Sequence, residues 1–118
     1  MFKSKRAKAT AISKKTKEIV YVRDKCRCVY CGSPYGLPEA HIVSRQRGGL
    51  GTEKNIVTLC RPCHFKFDSG TNKERIDMMK FIKEYIYGIY GKFDDNEVIY
   101  EKEWKKNVRK NLENRANE

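Results

Sequence analysis

The chain has 118 residues, with 26 Lys and Arg against 15 Asp and Glu, for a formal net charge of +11. That length is a prior for one domain with one modest core, and no apolar run approaches the roughly 18 residues that would mark a transmembrane helix. The basic N-terminus is followed by no apolar stretch, so a secretory signal is not expected, and the charge points to a polyanion, most simply nucleic acid, with an acidic membrane surface as the alternative at this level.

The charge is concentrated early. Residues 1–27 hold ten basic and two acidic residues, whereas residues 28–70 hold five and three and residues 71–118 hold eleven and ten. Met1–Lys17 has seven basic residues and no acid. Its first part, residues 1–12, is too polar to build a core and is read as a flexible basic arm. Ser13 is a plausible N-cap for a helix from about Lys14 to Asp24, in which Ile19, Val20 and Tyr21 or Val22 could face a core.

Cysteines follow: Cys26, Cys28, Cys31, Cys60 and Cys63. Cys28–Cys31 and Cys60–Cys63 are C-x-x-C units separated by 28 residues. A disulfide framework fits poorly, because the cysteine density is below that of small secreted scaffolds. A redox dithiol needs one such unit beside a βαβ pattern, which is absent. Two units instead supply four thiolates for a tetrahedral ion, so structural Zn²⁺ is expected on Cys28, Cys31, Cys60 and Cys63. Cys26 could substitute for Cys28, but the symmetric pairing is preferred. Cys26 is then a small buried hydrophobe or a free thiol.

Between the knuckles, Ser33–Pro38 is turn-rich, Glu39–Val43 reads as a short strand, and Arg45–Thr52 is a glycine-containing loop. Asn55–Leu59 leads into the second knuckle. A helix is expected to start near Cys63, carry His64 and Asp68, and end at Ser69-Gly70. Thr71 and Glu74 form a capping-box pattern. Behind them Met78, Phe81, Ile82, Tyr85, Ile86 and Ile89 make one helical face, ending near Gly91. Asp94–Glu97 is read as the cap of a further helix bearing Tyr100, Trp104, Val108 and Leu112 at steps of four. Both helices are expected to be packing elements.

The chain has two histidines, His41 on the expected strand and His64 directly after Cys63, with Asn55 between them. This order, set within the two C-x-x-C units, resembles the HNH endonuclease family across Val20–Asp68. The likeness includes Val22-Arg23-Asp24, Ala40-His41-Ile42-Val43, the Arg45–Gly51 loop and Asn55-Ile56-Val57-Thr58-Leu59-Cys60-Arg61-Pro62-Cys63-His64. It is most similar to small versions found in bacteriophages and bacteria.

The resemblance implies an α+β fold. Its core would be a small ββα-metal, treble-clef-like unit with the zinc knuckles, flanked by an N-terminal helix and C-terminal helices. The implied organisation is an arm at 1–12, a nuclease core at 13–70, and a helical extension packing on the core at 71–118. The implied reaction is metal-assisted hydrolysis of a DNA phosphodiester. His41 matches the family's general base, a role suited to a pKa near neutrality. Asn55 matches the residue that holds the loop and orients His41 through a backbone hydrogen bond. His64 matches the metal ligand at the helix start. Asp68, four residues on and so on the same helix face, matches a second ligand position.

One departure stands out. The family often places a metal-binding Asp or His directly before the base, where this chain has Ala40. Glu39, one residue further back, could serve only if the backbone is irregular or a water intervenes. A hydrated Mg²⁺ or Mn²⁺ suits such a sparse ligand set. Arg45, Arg47 and Arg61, with Lys14, Lys15 and Lys17, are candidates for phosphate contacts. The implied partner is DNA, with phage packaging proteins as a further candidate and no membrane, and the implied compartment is the bacterial host cytoplasm. The alternative is a catalytically impaired, zinc-stabilised DNA-binding module.

Overall fold

The computed structural model describes residues 3–116. It is α+β, with five helices and a two-stranded antiparallel sheet among the described residues. These are α1 (Lys5–Thr10), α2 (Lys14–Arg23), β1 (Leu37–His41), β2 (Ile56–Leu59), α3 (Arg61–Ser69), α4 (Asn72–Tyr90) and α5 (Glu103–Ala116). Short 3₁₀ turns occupy Arg45–Arg47, Glu53–Asn55 and Asp95–Val98.

The N-terminal segment differs from the sequence expectation. Lys5–Thr10, inside the stretch read as a flexible arm, is helical, with the Ser4 hydroxyl accepting from the Ala7 N–H. Thr10 is buried, and the Gly51 N–H donates to the Ala9 carbonyl at 3.0 Å. Composition alone hid this, because the segment docks through backbone groups and the Arg6 guanidinium rather than an apolar stripe. Helix α2 begins at its expected serine cap, where the Ser13 side chain accepts from the Thr16 N–H. Of its apolar residues Val20 is fully buried, while Ile19 and Val22 are exposed.

The end of α2 is tied to the sheet by a buried polar network. The Asp24 carboxylate, with no side-chain exposure, accepts from Arg23 Nε at 2.8 Å, the Thr58 N–H at 2.8 Å and the Tyr85 hydroxyl at 2.7 Å. The Arg23 guanidinium also donates to the carbonyls of Glu53 at 2.6 Å and Ile56 at 2.7 Å. Burial opposes the Arg23 charge, but its bonds to Asp24 and Tyr90 more than compensate and raise its pKa. Burial, with the bond to Asp24, pushes the Tyr85 phenol up to about 12. Removing one partner strands the others, so Asp24→Ala is expected to cost about 3–5 kcal/mol, read as a lower urea midpoint at unchanged slope. A loss under 1 kcal/mol would contradict this account of the joint.

Strand β1 runs over Leu37–His41, two residues earlier than the expected Glu39–Val43. Ala40 pairs with Val57 and His41 with Ile56, with an irregularity between Leu37 and Ala40. Ile42 and Val43 leave the regular ladder because Asn55 takes it over. Its carbonyl accepts from the Ile42 N–H at 2.8 Å and its side-chain Oδ1 from the Val43 N–H at 2.8 Å. Helix α3 starts at Arg61 rather than Cys63, since Pro62 is tolerated in a first turn whose N–H groups have no helical partner.

Helix α4 closes the core. Its capping box is complete, with Thr71 and Glu74 exchanging side-chain and backbone bonds. Met78, Ile82 and Ile86, at steps of four, are buried against Ala40, Val57, Leu59 and Phe67. Each such burial stabilises by about 1.5–3 kcal/mol. Phe81 and Ile89, expected on the same face, are exposed at its margins, although Phe81 makes an edge-to-face contact with Tyr30 at 5.2 Å.

Beyond α4 the expectation needs correction. Asp94 caps only a 3₁₀ turn, and Val98–Tyr100 then lies along the glycine loop. The Leu50 N–H donates to the Val98 carbonyl at 2.8 Å and the Tyr100 N–H to the Gly48 carbonyl at 2.7 Å. Helix α5 follows, but Trp104, Val108 and Leu112 are exposed, so this part of the 71–118 extension does not pack its stripe on the core. The core it would cover is already closed by α4 and the 98–100 segment.

Candidate metal centre and catalytic cleft

The two C-x-x-C turns meet at the junction of β2 and α3. The Sγ atoms of Cys28, Cys31, Cys60 and Cys63 all lie within 4.8 Å of one another, and those of Cys31 and Cys60 are 3.5 Å apart. Four thiolates at about 2.3 Å from one ion sit about 3.8 Å from each other, so the cluster fits a structural zinc site. The electrostatics agree. Burial opposes ionisation of Cys28, but the N–H groups of Cys31, Cys60 and Tyr30 bring its pKa down to about 7. Cys60 and Cys63 are raised by burial, and Cys63 also by its neighbouring thiols. A bound cation would offset the burial and mutual repulsion that push Cys60 and Cys63 up. Cys26 lies outside the cluster, exposed, in a left-handed turn that ends α2. It is neither a substitute for Cys28 nor the buried hydrophobe considered above.

The knuckle also aims the chemistry-bearing residues. Cys60 is the N-cap of α3, and its carbonyl accepts from the His64 N–H at 2.8 Å. His64 Nε2 reaches Asp68 Oδ2, one helical turn on, at 3.1 Å. Across from them, at the end of β1, stands His41. A cleft of about 420 Å³ is lined by Glu39, His41, Ser44, Arg45, Gln46, His64 and Asp68. A neighbouring groove of about 560 Å³ shares His41 and Asp68 with it and runs to Arg47, Phe67, Asn72, Arg75, Ile76 and Met79.

His41 is half-buried. Its Nε2 lies 2.9 Å from the Thr10 carbonyl oxygen. A carbonyl can only accept, so Nε2 carries the proton and Nδ1 keeps its lone pair. Burial, then the nearby charges of Arg45 and His64, pull the imidazole below its ordinary pKa, against opposing contributions from Thr10 and Asp68. In this tautomer the Nδ1 lone pair is free to accept a proton.

Asn55 is fully buried. Besides its bond from the Val43 N–H, its Nδ2 donates to the carbonyls of Val43 at 3.1 Å and Leu50 at 2.9 Å. It clamps both ends of the 43–50 loop and acts on the residue after His41 rather than on the imidazole itself. Gly49 belongs to this clamp, since a Cβ there would overlap the Val43 carbonyl oxygen.

Ala40 is fully buried in the core, so its side chain lies away from the cleft. Glu39 lines the cleft and pairs with Lys17 at 3.4 Å. Among the described residues the four cysteines are the one group of three or more ligands that converge tightly. Glu39, His64 and Asp68 share the cleft without such convergence. Arg45 and Arg47 sit on the 3₁₀ turn at the rim, whereas Lys14, Lys15 and Arg61 are exposed outside the cleft lining. Two contributors escaped the sequence reading. Thr10 acts through its backbone, which no residue type signals. Arg75 lies on a helix outside the family-like region.

Residues 28–67 match the family model for HNH endonuclease, about a third of the chain. Neither a search of curated proteins nor one of solved structures found a match. The four convergent thiols lie within the matched stretch, so over residues 28–67 the chain is similar to HNH endonuclease.

Proposed function

We propose that this protein is a metal-dependent DNA endonuclease in which His41 is the general base. The observation that carries the reading is the His41 imidazole, tied at Nε2 so that Nδ1 keeps its lone pair, in a cleft that His64 and Asp68 also line. In the proposed reaction His41 Nδ1 takes the proton of a water as its oxygen bonds to phosphorus, and the bond from phosphorus to the leaving oxygen breaks. His64 and Asp68, with Glu39 at the edge, would hold a divalent ion such as Mg²⁺ or Mn²⁺. Such an ion would supply charge neutralisation at the phosphate and the leaving oxygen. Asn55 keeps the loop that flanks the base. Arg45 and Arg47 at the rim, with Lys14, Lys15, Lys17 and Arg61 further out, would neutralise backbone phosphates and make binding salt-dependent. The likeness to small phage and bacterial versions supports a role in phage DNA processing or packaging, or in a mobile element, inside a bacterial host. Phage packaging proteins would be the partners.

The test is nicking of supercoiled plasmid by zinc-loaded protein with Mg²⁺ or Mn²⁺ added or withheld. Relaxation is expected with added ion alone. Asp68→Asn, which removes a charged ligand but keeps the shape, is expected to raise the half-maximal Mn²⁺ concentration about tenfold or more. An unchanged metal requirement would remove Asp68 from the site. The burial of Ala40 favours a second reading, a zinc-stabilised DNA-binding module without turnover. DNA binding with no nicking under either ion would establish it.

A further inference from the structure

We propose that helix α1 is a positioning element of the active site, docked through Arg6 and Gly51 so that the Thr10 carbonyl holds the His41 ring with Nδ1 presented to the cleft. The inference rests on the reading of His41 as general base and adds to it a segment outside the family-matched residues 28–67.

Three contacts seat the helix. Arg6 Nη2 donates to the Gln46 carbonyl at 2.7 Å and more weakly to that of Arg45 at 3.4 Å. The Gly51 N–H donates to the Ala9 carbonyl at 3.0 Å. The Gly51 backbone also passes so close to Ala11 that a Cβ would overlap the Ala11 carbonyl oxygen. The outcome is one backbone carbonyl, left without a helical partner, put to use. Carbonyls in the last turn of a helix have no helical partner, and that of Thr10, the final residue of α1, accepts from His41 Nε2, 31 residues away. The Thr10 hydroxyl is turned back to the Arg6 carbonyl at 3.0 Å, leaving the backbone oxygen as the group offered to the ring.

A helix of six residues does not persist alone in water. Docking and helix formation are therefore one event, and undocking withdraws the carbonyl from His41 altogether. The competing role for this segment is electrostatic, a cationic tether for DNA through Lys5, Arg6 and Lys8. That role needs no defined seat, survives undocking, and acts on binding rather than on turnover.

The test uses the full zinc-loaded chain and two variants, Arg6→Ala and Gly51→Ala, the second leaving the charge unchanged. Two readouts are followed: kcat against KM for plasmid nicking, and the NMR signal of the His41 Nε2 proton, visible while a hydrogen bond shields it from exchange. With two histidines in the chain, a His41→Ala sample assigns that signal. Both variants are expected to lose the signal and to drop kcat about tenfold or more, with zinc content unchanged and, for Gly51→Ala, KM altered less than kcat. Retained signal and kcat in both variants would overturn the proposal, as would a rise in KM alone. Absence of nicking by the parent chain under either ion would overturn the reading of His41 as base and the proposal with it. Nicking by the parent with unchanged kcat in both variants would overturn this proposal alone.

Discussion

Cys60→Ser is expected to abolish cooperative folding of the centre of the molecule. Cys60 is at once a member of the thiol cluster, the last residue before α3 and that helix's N-cap, with its carbonyl bonded to the His64 N–H. Structural zinc in small domains contributes about 10–16 kcal/mol of apparent binding energy. A domain of this size has about 5–15 kcal/mol of net stability in total. Loss of one thiolate therefore removes an amount comparable with the whole margin, and burial on this short chain does not replace it. The expected result is loss of the thermal transition in circular dichroism and zinc well below one per chain. Cys26→Ser is the matched control. Its thiol is exposed and outside the cluster, so melting and zinc content should not change. Unchanged melting and stoichiometric zinc in Cys60→Ser would contradict the site.

The same cluster explains why so much of the fold was legible in the residues. Metal ligation demands a residue type at a spacing, and both are written in the chain as two C-x-x-C units. Caps are similarly explicit: Ser13 and Thr71 start their helices because their hydroxyls satisfy backbone N–H groups that have no other partner. Periodicity succeeded for α4 and failed for α5, and the difference is tertiary. The stripe of Met78, Ile82 and Ile86 meets a sheet face waiting to be covered, whereas that of Trp104, Val108 and Leu112 does not. A helical wheel records which residues share a face and is silent on whether anything opposes it.

At the candidate site, side chains were legible and backbone was not. His41, His64 and Asp68 do line one cleft, and their types and order pointed to them. The contact that fixes the His41 ring comes from the carbonyl of Thr10, in a stretch whose composition argued for an unpacked arm. Any residue could supply that oxygen, so nothing in the sequence marks it. The irregular pairing between Leu37 and Ala40 was equally hidden. Ordinary strand alternation then puts Glu39 and His41 on the cleft while Ala40 turns into the core.

The second large effect falls on chemistry rather than on stability. His41 is half-buried at the end of β1, and its chain neighbours Ala40 and Ile42 carry the packing. His41→Ala should therefore fold and bind zinc as the parent does. General-base catalysis contributes about 10²–10⁴-fold, and because the bonded tautomer leaves Nδ1 unprotonated, that contribution is at stake. The decisive measurement is the rate of plasmid nicking by the parent chain and by His41→Ala, both zinc-loaded, in Mg²⁺ and in Mn²⁺. The expected result is nicking by the parent in at least one of the two ions and a loss of about 10²-fold or more in the variant at matched zinc content. Equal nicking by the two proteins would contradict His41 as the base.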